Sequence, residues 1–260
     1  MAETALITGA SSGIGADFAR LHASEGGDLV LVARSADKLE QLQVELENTY
    51  GISVLVLVED LSGTGAPERV FQATQKKGIE IEILINNAGV GGHGRFDQQA
   101  LSRHMAMLQL NIASLVALTH LYLGPMKERG HGKILNVSSA AAFIPGPLQA
   151  VYYASKSFVL SFSQSISEEL RGSGVTVTAL CPGPVKTGFA AAGDLEGVLA
   201  FKLGASPDSV ARCGYRAMQR GKLVVVNNTI LAFLLNWVTP LIPRRILLTF
   251  SRISMEKPAR

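Results

Sequence analysis

Short apolar runs punctuate the chain at nearly regular intervals, and between them apolar positions recur at helical spacing. The runs are ALIT (5–8), DLVLVA (28–33), SVLVLV (53–58), IEILIN (81–86), GKILNVSS (132–139), VTVTAL (175–180) and KLVVV (222–226). Most are continuous rather than alternating, as in strands covered on both faces. The segments between them read as helices; in SADKLEQLQVELENTY, Leu39, Leu42 and Leu46 share one face. Strands alternating with helices form right-handed βαβ units, so the pattern predicts an α/β fold, a doubly wound parallel seven-stranded sheet of Rossmann type. No repeat, low-complexity tract or linker interrupts it, and residues 1–260 are expected to form a single domain.

Two stretches depart from the alternation. Residues 187–206 are rich in Gly and Ala and lie between two helical patterns, the position of a substrate lid. Residues 223–254 are strongly apolar and end near Arg244, Arg245 and Arg252. A membrane span needs about 20 predominantly apolar residues. Asn227, Asn228, Asn236, Pro240 and Pro243 break this run, which predicts a buried strand and then two short helices. Pocket lining or subunit packing is the expected use of their apolar faces, with contact to a membrane surface as the alternative.

Composition narrows the classes. A chain of 260 residues buries roughly three quarters of its unfolded surface and needs no metal or disulfide for stability. The net charge of +3, with no basic run interleaved with aromatics, argues against nucleic acid as a partner. Cys181 and Cys213 lack metal-ligand spacing and the histidines are scattered, so no metal is expected. Two thiols in this length fit a reducing compartment, and MAETALITGA lacks a charged and then apolar signal. The expected location is the cytoplasm, with membrane association as a possible addition.

Ligands of such sheets bind beyond the carboxyl ends of the strands. There TGASSGIG supplies Thr8, Gly9, Ser11, Ser12, Gly13, Ile14 and Gly15, following a strand and opening a helix. Its glycines let the backbone turn sharply and approach a pyrophosphate, and the helix N-terminus offers free N–H groups. The spacing is G-x-x-x-G-x-G rather than G-x-G-x-x-G. After the second strand an NAD site places an acid; this chain has Ala33 and Arg34. A forked cation suits a 2′-phosphate, so the expected cofactor is NADP (NADPH). Asp60 and Leu61, after the third strand, fall beside the adenine.

VYYASKSF (151–158) sets Tyr152 four residues and Tyr153 three residues before Lys156, both on one helical face with it. An ammonium at about 4 Å attracts a phenolate by roughly 4 kcal/mol at an effective dielectric of about 20. A phenol so placed is expected to have a lowered pKa and to exchange a proton near neutral pH. The helical spacing leaves both tyrosines open.

TGASSGIG, NNAG (86–89), Asn111, NVSS (136–139), YYASK (152–156) and CPGPVKT (181–187) occur in that order. Together they resemble the short-chain dehydrogenase/reductase family over residues 4–190. The resemblance implies Tyr152 as the active tyrosine, because Y-x-x-x-K and the family's serine-to-tyrosine spacing then select Lys156 and Ser139 together. Tyr153 is left as a packing residue. The resemblance further implies Tyr152 as general acid/base, Ser139 orienting the carbonyl, Lys156 lowering the phenol pKa and holding the nicotinamide ribose, and Asn111 holding a water in a proton relay. Asn87, Ala88 and Gly89 are implied beside the adenosine ribose, and Pro182, Gly183, Val185 and Thr187 at the nicotinamide.

The implied function is an NADPH-dependent oxidoreductase interconverting ketone and secondary alcohol. Phe143, Ile144, Pro145, Leu148, Phe189 and Leu195 point to a hydrophobic small-molecule substrate. A 3-oxoacyl-thioester reductase is the alternative within the family. A nucleotide-sensing or membrane-surface scaffold is the alternative outside catalysis, although Asn111, Ser139, Tyr152 and Lys156 are all present. The family's habit of pairing through helices at 104–129 and 149–172 implies a homodimer or homotetramer.

Overall fold

The computed structural model describes residues 3–198 and 204–257. Seven parallel strands form one sheet in the order β3-β2-β1-β4-β5-β6-β7. They are β1 (Ala5–Thr8), β2 (Leu29–Ala33), β3 (Val54–Val58), β4 (Ile83–Asn86), β5 (Gly132–Val137), β6 (Val175–Leu180) and β7 (Val224–Val225). This is the doubly wound Rossmann-type arrangement that the apolar runs predict. The order reverses at β1, which pairs with β2 on one side (Ala5 beside Leu29) and β4 on the other (Ala5 beside Ile83). A crevice at the carboxyl ends follows from that reversal.

Period-two alternation divides the apolar runs between two cores. Ile7, Leu29, Leu31, Ile83 and Ile85 join one core with Phe18, Leu39, Leu46, Val210 and Tyr215. These last come from α1 (Gly13–Ser24), α2 (Ala36–Tyr50) and α8 (Pro207–Gln219). Leu6, Val30, Val32 and Leu84 face the other way, onto Val70 of α3 (Ala66–Lys76) and Leu118, Tyr122 and Met126 of α5 (Ser114–Arg129). Both faces are thus covered.

Differences from expectation occur where local pattern competes with tertiary contact. The seventh strand is two residues long, not five, and pairs with β6 only at Ala179 and Leu180. The expected continuous helix at 104–129 is α4 (Leu101–Leu108), a π-helical turn (Gln109–Ala113) and α5. The run Leu101–Arg129 is long and apolar enough to cross a membrane by length and composition, yet α5 packs its Leu118, Tyr122 and Met126 into the core.

After α6 (Ala150–Glu169) and β6, the segment placed as a lid forms α7 (Phe189–Ala192) and a turn; residues 199–203 of it lie outside the described residues. The C-terminal segment forms α9 (Thr229–Phe233), continued through turns to Leu241, and α10 (Arg244–Met255). The break falls at Pro243, which cannot donate a backbone hydrogen bond.

Candidate active site

The loops at the carboxyl ends of the strands surround an open cleft of about 590 Å³. The turn after β1 begins at Gly9 in the left-handed region (φ 66°), where a side chain is strained. A Cβ on Gly15 would lie 2.3 Å from the Gly9 carbonyl oxygen, so the helix can start this close to the strand only with glycine there. Thr8 Oγ1 accepts from the N–H groups of Asn87 and Ala88, both at 3.0 Å, and Asn87 Nδ2 donates to the Thr8 carbonyl at 2.9 Å. The turn after β4 is therefore locked to the turn after β1. No side chain caps α1, whose first residues Gly13 and Ile14 line the cleft with free backbone donors.

Gly9, Ser11, Ser12, Gly13, Ile14, Arg34, Asp60, Leu61, Asn87, Ala88, Gly89, Ser139, Tyr152, Lys156, Pro182, Gly183, Val185 and Thr187 all line this one cleft. Gly15 and Asn111 do not. Gly15 is buried under the glycine turn, and Asn111 is 1% exposed behind Val90.

Arg34 and Asp60 stand at the β2–β3 end. Arg34 makes no ion pair among the described residues. The Asp60 carboxylate is committed to Ser62, accepting from its N–H at 2.9 Å and its hydroxyl at 2.7 Å, which holds that carboxyl below its ordinary range. Ser35 and Lys38 share this end, and the sequence reading missed both. Lys38 could have been found there, four residues after Arg34 and one helical turn along α2.

At the β5 end, Ser139 and Tyr152 come together. Ser139 Oγ accepts from Ala141 N–H at 3.1 Å and reaches the Pro182 carbonyl only at 3.5 Å, so its hydrogen is free to turn to a ligand. Burial pushes the Tyr152 phenol up to about 12, with the Ser139 hydroxyl acting in the opposite sense. The expected lowering by Lys156 is overturned here. Lys156 Nζ donates to the Val137 carbonyl at 2.8 Å and stands 5.9 Å from the Tyr152 ring centroid, and its own pKa falls to about 8 through burial. Desolvation is the largest cause at both groups.

Tyr153 is 7% exposed, and Gly146 lies flat against its ring: a Cβ there would fall 2.1 Å from Cγ. Ser138, the neighbour of Ser139, donates to the Lys156 carbonyl at 2.8 Å. Cys181 packs with Leu160 and Ala179, and burial raises its thiol to about 12, so it is a filler and no nucleophile. Among the described residues no three His, Cys, Asp or Glu side chains gather as a metal site.

Asn111 occupies the π-helical turn. Its Oδ1 accepts from Val90 N–H at 2.9 Å, and its Nδ2 donates to the Val90 carbonyl at 3.0 Å and Ser155 Oγ at 3.1 Å. The bulge aims the amide across to the β4 loop instead of back at its own helix. Asn111→Leu is expected to lower stability by about 2 kcal/mol, because the part-buried N–H and carbonyl of Val90 and the buried Ser155 hydroxyl lose the amide they bond. A urea midpoint that stayed in place would contradict this.

The cleft's remaining wall was only partly foreseen. Ile144 and Phe189 line it, as expected, whereas Phe143 packs beside Leu160 and Cys181. Leu148 packs with Met255 and with Leu195 and Val198 of the 187–206 segment. Leu231, Leu235 and Met255, from the C-terminal helices, complete the wall.

Known proteins share this arrangement. The family described as short chain dehydrogenase matches residues 3–195. Human 17-beta-hydroxysteroid dehydrogenase type 3 is 36% identical over 190 residues, covering 72% of this chain and 60% of that protein. The very-long-chain 3-oxoacyl-CoA reductase of Anas platyrhynchos is 36% identical over 189 residues, covering 70% and 60%. The chain thus spans about three fifths of the length of these relatives. The solved short-chain dehydrogenase from Sphingobium yanoikuyae, in complex with NADPH, matches with a TM-score of 0.83 and 31% identity over 99% of this chain and 98% of that one. With the glycine turn, the Ser139–Tyr152–Lys156 cluster and the reversed strand order all in one frame, the chain belongs to the short-chain dehydrogenase family.

Proposed function

We propose that the protein is an NADPH-dependent oxidoreductase that interconverts a ketone and a secondary alcohol on a hydrophobic small molecule. The observation that carries this is one cleft with Ser139, Tyr152 and Lys156 at one end and the cations Arg34 and Lys38 at the other. The residues fit a nicotinamide dinucleotide phosphate. The glycine turn leaves space that a Cβ would fill, uncapped helix donors face a pyrophosphate, and the carboxylates at the β2–β3 end are already committed, Glu59 to Arg69 and Asp60 to Ser62. When bound, the reduced dinucleotide supplies hydride.

The chain's own residues do the rest. Arg34 and Lys38 grip the 2′-phosphate. Pro182, Gly183, Val185 and Thr187 wall the nicotinamide. Ser139 turns its free hydrogen to the carbonyl oxygen and polarises it. Tyr152, neutral across physiological pH, gives its proton to the same oxygen as general acid. Lys156 steadies the phenolate left behind. An ideal Cβ on Gly89 would lie 3.3 Å from Asn111 Oδ1 and 3.4 Å from Lys156 Nζ, so both groups border one gap. The second lone pair of that Oδ1 is the acceptor for a water passing protons on to Lys156.

Apolar lining by Ile144, Phe189, Leu231 and Leu235 favours a bulky hydrophobic ketone. Similarity to a 3-oxoacyl-CoA reductase supports a second reading, reduction of a long 3-oxoacyl thioester. Copies of the chain pair through α4–α5 and α6, where Phe158, 41% exposed, stacks on Phe162 at the surface.

The test is NADPH consumption with aliphatic, steroidal and 3-oxoacyl-thioester substrates, run beside NADH. Silence on all three would sink the proposal. Arg34→Ala is expected to lower kcat/KM with NADPH by about tenfold to a hundredfold, the worth of a charged hydrogen bond, and to leave NADH turnover nearly unchanged. An equal loss with both cofactors would remove Arg34 from the 2′-phosphate site.

A further inference from the structure

The two C-terminal helical pieces have two working faces. Their inner residues Leu231, Leu235 and Met255 line the cleft. Their outer residues are large, apolar and open to solvent: Phe233 is 60% exposed, Trp237 69%, Leu241 83% and Phe250 66%. On α10, Leu247, Ser251 and Met255 are buried, while Ile246, Phe250 and Ile253 form a stripe on the opposite side. Exposed apolar surface of this extent marks a contact. Arg244 and Arg245, at the start of α10, are exposed and make no ion pair among the described residues, whereas Arg252 pairs with Glu256 at 3.0 Å.

Charge selects the occupant. Residues 223–255 contain Arg244, Arg245 and Arg252 and no Asp or Glu, and Glu256, next along, is taken up by Arg252. A symmetric contact with a second copy would bring this patch against itself, and it holds no free acid for Arg244 and Arg245 to pair with. An anionic bilayer supplies the missing charge, accepts the apolar stripe below its headgroups, and suits a tryptophan at the interface. The helical run Thr229–Leu241 is about 20 Å long, shorter than the hydrocarbon core of about 30 Å, so it lies on the surface rather than spanning it.

We propose that this outer face docks on an anionic lipid surface and that the cleft behind it takes its ketone from the bilayer. The structure ties the docking element to the site. Asn227 Oδ1 accepts from Gly183 N–H at 3.0 Å, joining the start of the segment to the bend after β6. At its other end His93 Nε2 bonds the Met255 carbonyl at 2.8 Å, and Lys257 pairs with Asp194 of the lid at 2.8 Å. A lipid-dissolved molecule passing between the two helices meets Leu231 and Leu235 first and Tyr152 behind them. The uptake half of the proposal rests on the hydrophobic-ketone reading, and the docking half does not.

Flotation of the full chain with vesicles of phosphatidylcholine alone, or with about a third phosphatidylserine, tests docking directly. Binding to the anionic vesicles is expected. R244Q/R245Q should weaken it by about 30-fold, given about 1 kcal/mol per basic residue at an anionic surface. W237S/F250S should weaken it at least about tenfold and leave turnover of a water-soluble ketone unchanged. Failure to float with anionic vesicles overturns docking. So does flotation unchanged in W237S/F250S together with a smaller particle in light scattering, which assigns the face to a second copy. Turnover of a vesicle-borne ketone should fall in W237S/F250S; an unchanged rate, or no turnover by the native chain, overturns uptake whatever flotation shows.

Discussion

Tyr152→Phe is expected to lower ketone reduction by about a hundredfold to ten-thousandfold, the usual contribution of a positioned general acid, while NADPH still binds. Tyr153→Phe, its neighbour, is expected to keep most of the rate and to change stability by no more than about 1 kcal/mol. Location separates two residues of the same chemistry. Tyr152 faces the cleft beside Ser139, and its phenol, held at about 12, is fully protonated at neutral pH. Tyr153 also borders the cleft, but its ring is pressed on Gly146 and burial raises its phenol above the ordinary range. A proton donor must reach the developing alkoxide, and only the first tyrosine has the polarising serine alongside. Initial rates for the two variants, with cofactor affinity measured separately, decide the matter. Equal loss in both would make the tyrosine pair a packing unit. Survival of the rate in Tyr152→Phe would remove the proton-donor assignment altogether.

How far the sequence disclosed this site depends on what kind of force placed each residue. β1 and β2 were legible within a residue because every position in them is buried, so hydrophobicity alone marks them. The glycine turn was legible because steric exclusion at Gly9 and Gly15 leaves one residue type. Asn111 could be singled out as a lone amide among apolar residues, but its π-helical turn could not, since the Val90 backbone that rewards the bulge lies 21 residues away. Leu231 and Leu235 were hidden for a different reason: the helices that carry them are apolar on both faces, and periodicity shows no inner side. The sign of the Tyr152 shift was misread because pair attraction was weighed without the cost of burial. In the structure the ammonium spends its hydrogen bond on Val137. Asn86 and Asn136 show a further blind spot. Asn86 Nδ2 donates to Asn136 Oδ1 at 2.9 Å, and Asn136 Nδ2 to Ser163 Oγ at 2.9 Å, bracing β4, β5 and α6 beneath the site through contacts that no local motif announces.

Lys156→Met is expected to make the protein more stable and nearly inactive. Lys156 is 5% exposed, and burial depresses its pKa from 10.5 to about 8. Its folded form therefore binds protons less readily than its unfolded form. Between about pH 8 and about pH 10.5 the unfolded state holds the extra proton, so native stability rises with pH through that window. Below about pH 8 both states are charged, and the folded state carries the full desolvation cost, about 3 kcal/mol by linkage. Methionine fits the same channel without charge and removes that cost. It also strands the Val137 carbonyl, which returns about 1–2 kcal/mol. A net gain of about 1–2 kcal/mol at about pH 7 follows, shrinking toward zero or below at about pH 10. Activity moves the other way: without the ammonium, the phenolate formed when Tyr152 gives up its proton loses its countercharge, and the rate falls by about a hundredfold or more. Urea denaturation of both proteins at about pH 7 and about pH 9.5, compared as a difference, isolates this lysine from the tyrosines that titrate higher. A difference that did not change with pH would show that Lys156 keeps its ordinary affinity for protons. A variant less stable at about pH 7 would show that the hydrogen bond to Val137 outweighs desolvation. The expected pattern, stability gained where function is lost, would mean that the buried charge is kept for its chemistry and not for the fold.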